Sequence, residues 1–265
     1  MKRRGSEKEL QFTVQSSAGE ETVWGSDSGS RTEMDKRWKV EPSALFLRLD
    51  PETLRSPSYI DSDKPLVRED GYGLATTLAY LKLNDIDIFN HLLEQTREIV
   101  PTFENLRFKR SRVPQSNGGN LYGDELIFDM KSAPDLTPDA ASDGTILALG
   151  LLTFTIEFTR RHKAESGYLL FLIDDVERGL HPRALAELVG QLRRLTETTG
   201  AQVLATSHSP YLLDALKPEE VRLTGFLEDG SVTIKPLTDH PDFERWKDEM
   251  TPGEFWSMVG EDWIR

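Results

Sequence analysis

Two groups of polar residues in the second half of the chain combine side chains that can bind a metal ion and activate water. Asp174 and Asp175 follow the apolar run 168–173, and His208 follows a second run at 203–206. Such runs are typical of strands buried on both faces, and ligands collect at the carboxyl ends of parallel strands. Carboxylates and a histidine at that edge suit Mg²⁺ and a terminal phosphate. The pattern indicates half of a nucleotide-hydrolysis site.

The segment between the two runs predicts that both polar groups lie at one edge of a single sheet. Pro182 suits the first position of a helix, and Gly200 suits its C-terminal stop. Between them an apolar stripe recurs at helical spacing, formed by Leu185, Leu188, Val189, Leu192 and Leu195. A strand, a helix and a second strand in this order form two parallel strands with a right-handed crossover. The acidic group and the histidine should therefore lie at neighbouring strand ends.

A third polar group precedes a long apolar helix. Ser142 or Asp143 can cap this helix, and Gly144 allows a close approach of the backbone. The free N–H groups of a helix start favour an anion, which makes the segment a candidate phosphate contact. Because every helix needs a cap, a purely structural interpretation of these residues stands beside the functional one.

The phosphate-binding loop that usually accompanies such groups is not found in the sequence. No Gly-x-x-x-x-Gly-Lys-[Ser/Thr] occurs among the 265 residues. The nearest imitation, at 25–32, lacks the second glycine in register and the lysine. In nucleotide hydrolases this loop supplies most of the positive cradle for the β- and γ-phosphates. The sequence therefore predicts the metal and water side of an ATPase without its phosphate loop.

Taken in order, the polar groups resemble those of ABC-type ATPases of the SMC-like and RecF-like kinds and AAA family ATPases of the overcoming-lysogenization-defect kind. The matching segments are the signature at 142–145, Walker B at 173–177, the turn at 179–182 and the switch histidine at 206–209. The resemblance covers roughly residues 60 to 240. It implies an α/β fold, a P-loop NTPase-like ABC ATPase head with a mixed sheet flanked by helices and its N-terminal P-loop strand absent. The implied cofactors are ATP and Mg²⁺.

The resemblance also implies roles for individual residues. Asp174 would hold Mg²⁺, and His208 would contact the γ-phosphate or position the attacking water. Asp175 stands where the family usually has a glutamate that polarises this water, and its side chain is one methylene shorter. Because a positioned general base is worth about 10²–10⁴-fold, slow turnover is expected. Glu177 could take over the role of the base, or it could be a turn residue.

By the same resemblance, Ser142, Asp143, Gly144 and Thr145 would bind nucleotide in trans, across an ATP-dependent homodimer or toward a partner ATPase or nuclease chain. Three explanations of the missing loop are open: a wrongly assigned start codon, a frameshift, or a partner chain that supplies it. We expect a truncated form of a larger ATPase. The alternative is a catalytically inactive regulatory or interaction module that binds a partner ATPase or nuclease. Without the P-loop strand, which is central to the family's sheet, the remaining strands should expose an apolar seam, and this exposed surface should favour association with other chains.

Composition argues against several other classes of function. The net charge of −13 argues against a surface uniformly attracted to nucleic acid, and the absence of cysteine excludes disulfides and thiolate metal sites. A reducing cytoplasm fits, although other compartments fit as well. The N-terminus has no signal-peptide pattern, and no apolar run approaches the roughly 20 residues that span a bilayer. We therefore expect a cytoplasmic protein without a membrane anchor.

Three regions are predicted along the chain: a poorly defined N-terminal segment (1–40), the ATPase core (41–240) and a C-terminal tail with three tryptophans (241–265). Within the core, 103–113 and 121–130 predict a hairpin, as do 221–226 and 231–234. The first hairpin carries Arg107, Lys109, Arg110 and Arg112, which could form a DNA-binding face or be basic by chance. The tail tryptophans Trp246, Trp256 and Trp263 are expected to hold the C-terminus against the rest of the chain, and a partner interface is the alternative.

Overall fold

The computed structural model describes residues 10–16, 19–25, 43–113, 121–162, 169–260 and 262–264. The chain forms two compact units, residues 1–41 and residues 42–265. In the first unit, β1 (Leu10–Ser16) and β2 (Gly19–Gly25) pair as an antiparallel hairpin. Most of segment 25–32, and the residues that join the two strands of the hairpin predicted at 103–113 and 121–130, lie outside the described residues.

The second unit alternates strands and helices. Its elements in chain order are β3 (Ser43–Leu47), α1 (Pro51–Arg55), α2 (Leu74–Asn84), α3 (Ile86–Ile99), β4 (Phe103–Val113), β5 (Leu121–Met130), β6 (Ala133–Leu136), α4 (Asp143–His162), β7 (Leu169–Ile173), α5 (Pro182–Thr199), β8 (Gln202–Ala205), α6 (Pro210–Leu213), β9 (Arg222–Phe226), β10 (Val232–Pro236), α7 (Phe243–Trp246) and α8 (Pro252–Val259).

A parallel sheet in the order β3-β7-β8 carries the two predicted polar groups. Helix α5 connects β7 to β8, as the apolar stripe predicts, and begins at Pro182 with His181 as its N-cap. It ends at Gly200, whose φ of +73° is the left-handed conformation that glycine adopts readily. The carboxyl ends of β7 and β8 therefore lie side by side.

One face of this sheet packs on the helices. Leu47, Phe171 and Ile173 are buried in the core that they share with α4 and α5. The ring of Phe171 meets that of Phe154 on α4 edge to face, with 6.4 Å between the centroids. Burial of such large apolar side chains is the main source of stability in a core of this kind.

The other face of the sheet carries an exposed apolar row. Phe46, Leu172 and Leu204 are aligned across the three strands, and Phe46 and Leu204 are 52% and 60% exposed. Among the described residues no strand pairs with the outer edge of β8. We call Phe46, Leu172 and Leu204 the open row.

The second sheet is antiparallel, in the order β4-β5-β6, and includes the first predicted hairpin. Its basic residues are largely paired with acidic neighbours: Arg107 with Asp129 and Asp135, Lys109 with Glu125, and Arg110 with Asp124. Burial raises the pKa of Asp124 above its usual range, and Arg110 opposes that effect. These ion pairs reduce the positive charge available to a nucleic acid.

The α/β class predicted from the sequence is confirmed, because helices pack against the β3-β7-β8 sheet and the β4-β5-β6 sheet. Asp85 precedes α3, but its carboxylate pairs with Arg160 of α4 at 3.3 Å rather than capping the helix. No helix in the described part of the chain is long and apolar enough to span a membrane.

The C-terminal residues form a second apolar cluster with the β9–β10 hairpin. Leu237, Phe243, Phe255 and Ile264 are buried in it, and the three tail tryptophans pack against it. This packing is the one predicted for Trp246, Trp256 and Trp263. The boundaries predicted at residues 40 and 240 remain a prediction.

Candidate functional site

The candidate site lies where β7 and β8 end. The pairing of the two strands continues one residue beyond them, since the N–H of Thr206 donates to the carbonyl of Ile173 at 2.9 Å. The chain then turns away from each strand, and Asp174, Asp175 and His208 follow. The structure thus brings the acidic group and the histidine together, although Asp175 and His208 are 33 positions apart in the sequence.

Thr206 links the two strand ends. Its hydroxyl donates to Oδ1 of Asp174 at 2.7 Å and accepts from the N–H of Asp175 at 3.0 Å. Its carbonyl accepts from the N–H of Val176 at 3.2 Å. The sequence motif includes Thr206 but does not show this role, because the partners are more than 30 positions away. The threonine orients one oxygen of Asp174 and fixes the turn that follows.

Asp175 has an unusual backbone conformation. Its φ is +49°, in the left-handed region that residues other than glycine rarely adopt, although aspartate tolerates it better than most. The carbonyl of Asp175 accepts from the N–H of Arg178 at 3.0 Å, which closes a tight turn. Its side chain is exposed. Backbone strain of this kind is often found at functional sites.

Glu177 makes a different contact. Oε1 accepts from the backbone N–H of His208 at 2.8 Å, and Oε2 is buried without a hydrogen-bond partner among the described residues. A buried carboxylate oxygen without a partner is costly, so this atom is expected to have a ligand or a water at its side. Glu177 thus connects the turn after β7 to the switch segment, while the His208 side chain is exposed.

The signature segment begins α4 close to this turn. Oγ of Ser142 accepts from the N–H of Thr145 at 3.2 Å and lies 2.8 Å from the Thr145 hydroxyl, so Ser142 caps the helix. Ser142 and Asp143 are exposed, whereas Gly144 and Thr145 are buried. The four residues therefore offer different surfaces: the first two face solvent, and the last two face the protein.

Gly144 packs backbone to backbone on the turn after β7. A Cβ at Gly144 would lie 2.3 Å from the carbonyl oxygen of Gly179, a distance that real contacts do not show. Gly179 itself has a φ of +71°, and a Cβ there would lie 2.9 Å from both Cβ of Asp143 and the backbone nitrogen of Gly144. Segment 142–145 and the turn after β7 are therefore in direct contact.

A cavity opens beside the site, between the end of β3, helix α4 and the turn after β7. Leu147, Leu151 and Leu188 form part of its apolar floor, while Asp174 and Arg178 lie at its polar side. Asp50, the N-cap of α1, lies close to the positive charge of Arg178. The hydroxyl and N–H of Thr53 hydrogen-bond the Asp50 carboxylate and lower its pKa, and Arg178 and Arg55 add a smaller effect in the same direction.

The residues fit a magnesium site of the nucleotide-bound type. Mg²⁺ is usually held by one or two carboxylates, several waters and the phosphates of the substrate, rather than by a cage of protein ligands. Asp174 offers one such carboxylate, with Oδ1 oriented by Thr206. Across the described residues, no three histidine, aspartate or glutamate side chains converge on one point. His181, in contrast, caps α5 through Nδ1, which accepts from the N–H of Arg183 at 3.3 Å.

The protein class follows from a family match that contains all these residues. The profile of the family described as "AAA domain, putative AbiEii toxin, Type IV TA system" matches residues 26–214. This range is more than half of the chain, so the chain belongs to that AAA-domain family. The resemblance to ABC/AAA-type ATPase domains is confirmed at this level.

A curated relative gives a more particular likeness. The chain is 25% identical over 186 residues to the Septu protein PtuA of Bacillus thuringiensis. The match covers 68% of this chain and 39% of the relative, so the chain spans about two fifths of the length of that protein.

Solved SMC head domains are similar at lower identity. The SMC head domain of Thermotoga maritima matches with a TM-score of 0.40 and 10% identity, over 86% of this chain and 73% of the other. The Smc head domain of Pyrococcus yayanosii, with a coiled coil and joint, matches with a TM-score of 0.43 and 12% identity, over 65% and 31%.

Proposed function

We propose that this chain contributes the metal and water side of an ATP-hydrolysis site, together with a signature face that contacts nucleotide on a partner. ATP and Mg²⁺ are the cofactors of the complete site. The phosphate cradle, which the sequence does not contain, is supplied by further sequence of the same protein or by another chain. Its partner is a second copy or another ATPase or nuclease chain.

The observation that carries this proposal is the Thr206 junction. One hydroxyl connects Asp174, which would bind Mg²⁺, to the backbone of Asp175, while the next residues present His208. A structural strand end does not need an oriented carboxylate, a strained aspartate and an exposed histidine in one place. Metal-assisted hydrolysis needs all three, since charge stabilisation and water activation must be arranged in advance.

Asp175 is the residue that we assign as the general base. Its side chain is exposed at the edge of the site, whereas Oε1 of Glu177 is occupied by the N–H of His208. Glu177 therefore positions the switch segment in this proposal. His208 contacts the γ-phosphate or the attacking water, and the shorter side chain of Asp175 leads to slow turnover.

Ser142, Asp143 and the first N–H groups of α4 form the part of the signature that reaches a partner's nucleotide. Gly144 and Thr145 act inside the chain, where they hold the segment against the Walker B turn. This division follows the exposure of the first two residues and the burial of the last two.

A second function stays open because the sequence has no phosphate loop. A catalytically inactive module would keep the signature face and bind a partner ATPase or nuclease for regulation. The nucleotide sequence upstream of this reading frame, read in all frames, distinguishes the two. A Gly-x-x-x-x-Gly-Lys-[Ser/Thr] there supports the enzyme, and its absence favours the module.

Variants of the site test the assigned roles in a form of the protein that includes a phosphate loop. Asp174→Asn should abolish hydrolysis, because an amide cannot offset the charge of Mg²⁺. Asp175→Asn should allow ATP binding and dimerisation but stop turnover, and Asp175→Glu should preserve or raise turnover. His208→Ala should lower turnover with little effect on ATP binding.

Steady-state hydrolysis and equilibrium ATP binding, measured for each variant, check these outcomes. Asp63→Asn, an exposed change in the loop before α2, is the matched control and should alter neither quantity. Normal turnover in Asp175→Asn combined with none in Glu177→Gln would transfer the role of the base to Glu177.

A further inference from the structure

The start of α4 is held by a buried arginine from a distant part of the chain. Arg55, the last residue of α1, is only 9% exposed. Its Nε donates to the carbonyl of Pro138 at 3.1 Å, and its Nη2 donates to the carbonyl of Ala141 at 3.0 Å and to Oδ1 of Asp143 at 2.6 Å. One guanidinium thus binds three acceptors in the six residues that lead into the signature helix.

This arrangement is electrostatically demanding. The N-terminus of a helix carries a partial positive charge, so a cation placed there is unfavourable by itself. Burial adds a desolvation cost that is offset only when the guanidinium is fully hydrogen-bonded and paired. Asp143 supplies negative charge from the signature helix, and Glu52 of α1 supplies more, since its Oε1 accepts from Nη1 of Arg55 at 3.2 Å. The two carbonyls occupy further donors. Because Arg55 and Asp143 are 88 positions apart, the contact fixes one segment relative to another.

Helix α1 is itself held in place by its N-cap and by packing, so the backbone position of Arg55 is fixed. The carboxylate of Asp50 caps α1 by accepting from the N–H of Thr53 at 2.9 Å. The side chain of Leu54 fills the space left by two glycines, Gly71 and Gly150, and a Cβ at either would lie 2.6 Å from it. Gly150 belongs to α4, so α1 touches that helix both along its side and at its start.

We propose that Arg55 is the positioning residue of the signature segment. It holds the backbone of 138–141 and the carboxylate of Asp143 so that Ser142 is presented to solvent at the head of α4. Arg55 does not touch nucleotide itself. The proposal rests on the proposed function, in which Ser142 faces a partner's nucleotide, and it adds the residue that sets the geometry and local charge of that face.

Amide hydrogen exchange tests the positioning on the chain as it exists, without nucleotide. The reporters are the N–H groups of Ala141, Thr145 and Ile146, which donate to Pro138, Ser142 Oγ and the Ser142 carbonyl. Arg55→Gln should raise their exchange rates by about tenfold or more, since hydrogen bonds to charged groups are the stronger ones. Arg55→Lys keeps the charge but cannot reach three acceptors, and it should raise these rates by a smaller factor.

A thiol reporter tests the local charge. The chain has no cysteine, so Ser142→Cys introduces a single thiol at the head of α4. A helix N-terminus and a nearby cation both lower a thiol pKa. Adding Arg55→Gln removes the cation and leaves Asp143 unpaired, so the thiolate fraction at a fixed pH below the pKa should fall about tenfold. The pH profile of alkylation measures this fraction, and Arg55→Lys should largely restore it.

Arg161 provides the matched control at the other end of the same helix. It donates to the carbonyls of Lys64 and Pro65 and to Glu157, a set of acceptors like that of Arg55. Arg161→Gln should lower the melting temperature without changing amide exchange at 141–146 or the alkylation profile. Asp143→Asn, a change at an exposed residue that does not threaten the core, should raise exchange at 141–146 on its own if Arg55→Gln does not fold.

Two results would overturn the positioning role: unchanged local exchange and an unchanged thiol profile in the Arg55 variants, or the same changes in Arg161→Gln. In the case that Arg55→Gln does not fold, unchanged exchange in Asp143→Asn has the same meaning. A failure of the proposed function would give a different result. ATP affinity that does not change in Asp174→Asn would count against the proposed function, while the exchange and thiol results for Arg55 could still be as expected.

Discussion

At the scale of single residues, the site depends on short side chains and on glycines that let backbones meet. Thr206 reaches Asp174 and Asp175 because its hydroxyl is carried on Cβ, close to the backbone, and Gly144 meets Gly179 because neither has a Cβ. The types and spacing of Asp174, Asp175 and His208 predicted a common edge. The link through Thr206 could not be predicted, since hydrogen bonds between distant segments have no signature in sequence spacing.

The contact between Gly144 and Gly179 leads to a stability prediction. Gly144→Ala places a methyl group 2.3 Å from the Gly179 carbonyl oxygen, so the signature segment and the turn must separate. Overpacking against a fixed backbone typically costs about 1–3 kcal/mol. The free energy of unfolding, from denaturant titration, should fall by that amount in Gly144→Ala.

Gly190→Ala is the control for this change. Gly190 lies inside α5, and the nearest atom to a Cβ there is a guanidinium nitrogen of Arg194 at 3.9 Å. Alanine in place of glycine inside a helix should stabilise the protein by about 0.5–1 kcal/mol. Equal effects of the two substitutions would show that the Gly144 contact is not as close as described.

At the scale of secondary-structure elements, the helical stripe and the flanking proline and glycine of α5 were enough to predict the β7–α5–β8 unit. The place of β3 beside β7 could not be predicted, because the two strands are more than 100 positions apart and nothing in their spacing indicates that they pair. The contacts of Arg55 are of the same kind: they join α1 to the start of α4 across 88 positions. Local patterns therefore predicted the elements, and long-range contacts decided how they meet.

The open row agrees with the seam that the resemblance leads us to expect, and it predicts association. Phe46 and Leu204 expose apolar surface on a sheet whose β8 edge has no neighbour among the described strands. Exposed apolar strands at a sheet edge favour pairing with other chains. Sedimentation of the purified chain should show oligomers or aggregates, and Phe46→Thr with Leu204→Thr should shift the distribution toward monomer.

Threonine keeps the strand preference at both positions, so the fold should be retained. Leu83→Thr is the control, since Leu83 is 84% exposed at the end of α2, away from the sheet, and this change should not alter association. The prediction fails for a monodisperse wild-type monomer that unfolds cooperatively above about 60 °C, the upper part of the range for mesophile domains.

At the scale of the whole molecule, the chain is an AAA-domain family member. Its segments 173–177 and 206–209 follow the neighbouring strands β7 and β8, and segment 142–145 begins α4 against the turn after β7. The net charge of −13 repels a partner with an acidic surface, and the ion pairs on β4 neutralise basic side chains that could attract one. Nucleotide bound with Mg²⁺ is a different case, because the metal mediates between carboxylate and phosphate. In the function that we propose, Asp174 would hold such a metal.

The most direct measurement is the affinity of the chain alone for ATP. Saturation-transfer NMR or calorimetry, with and without Mg²⁺, measures this affinity. Because the sequence lacks a phosphate loop, we expect weak binding, in the high micromolar range or above, that requires Mg²⁺. Asp174→Asn should remove it, and Asp63→Asn should not. Low-micromolar binding that depends on neither Mg²⁺ nor Asp174, or no transfer to ATP at millimolar concentration, would contradict the account.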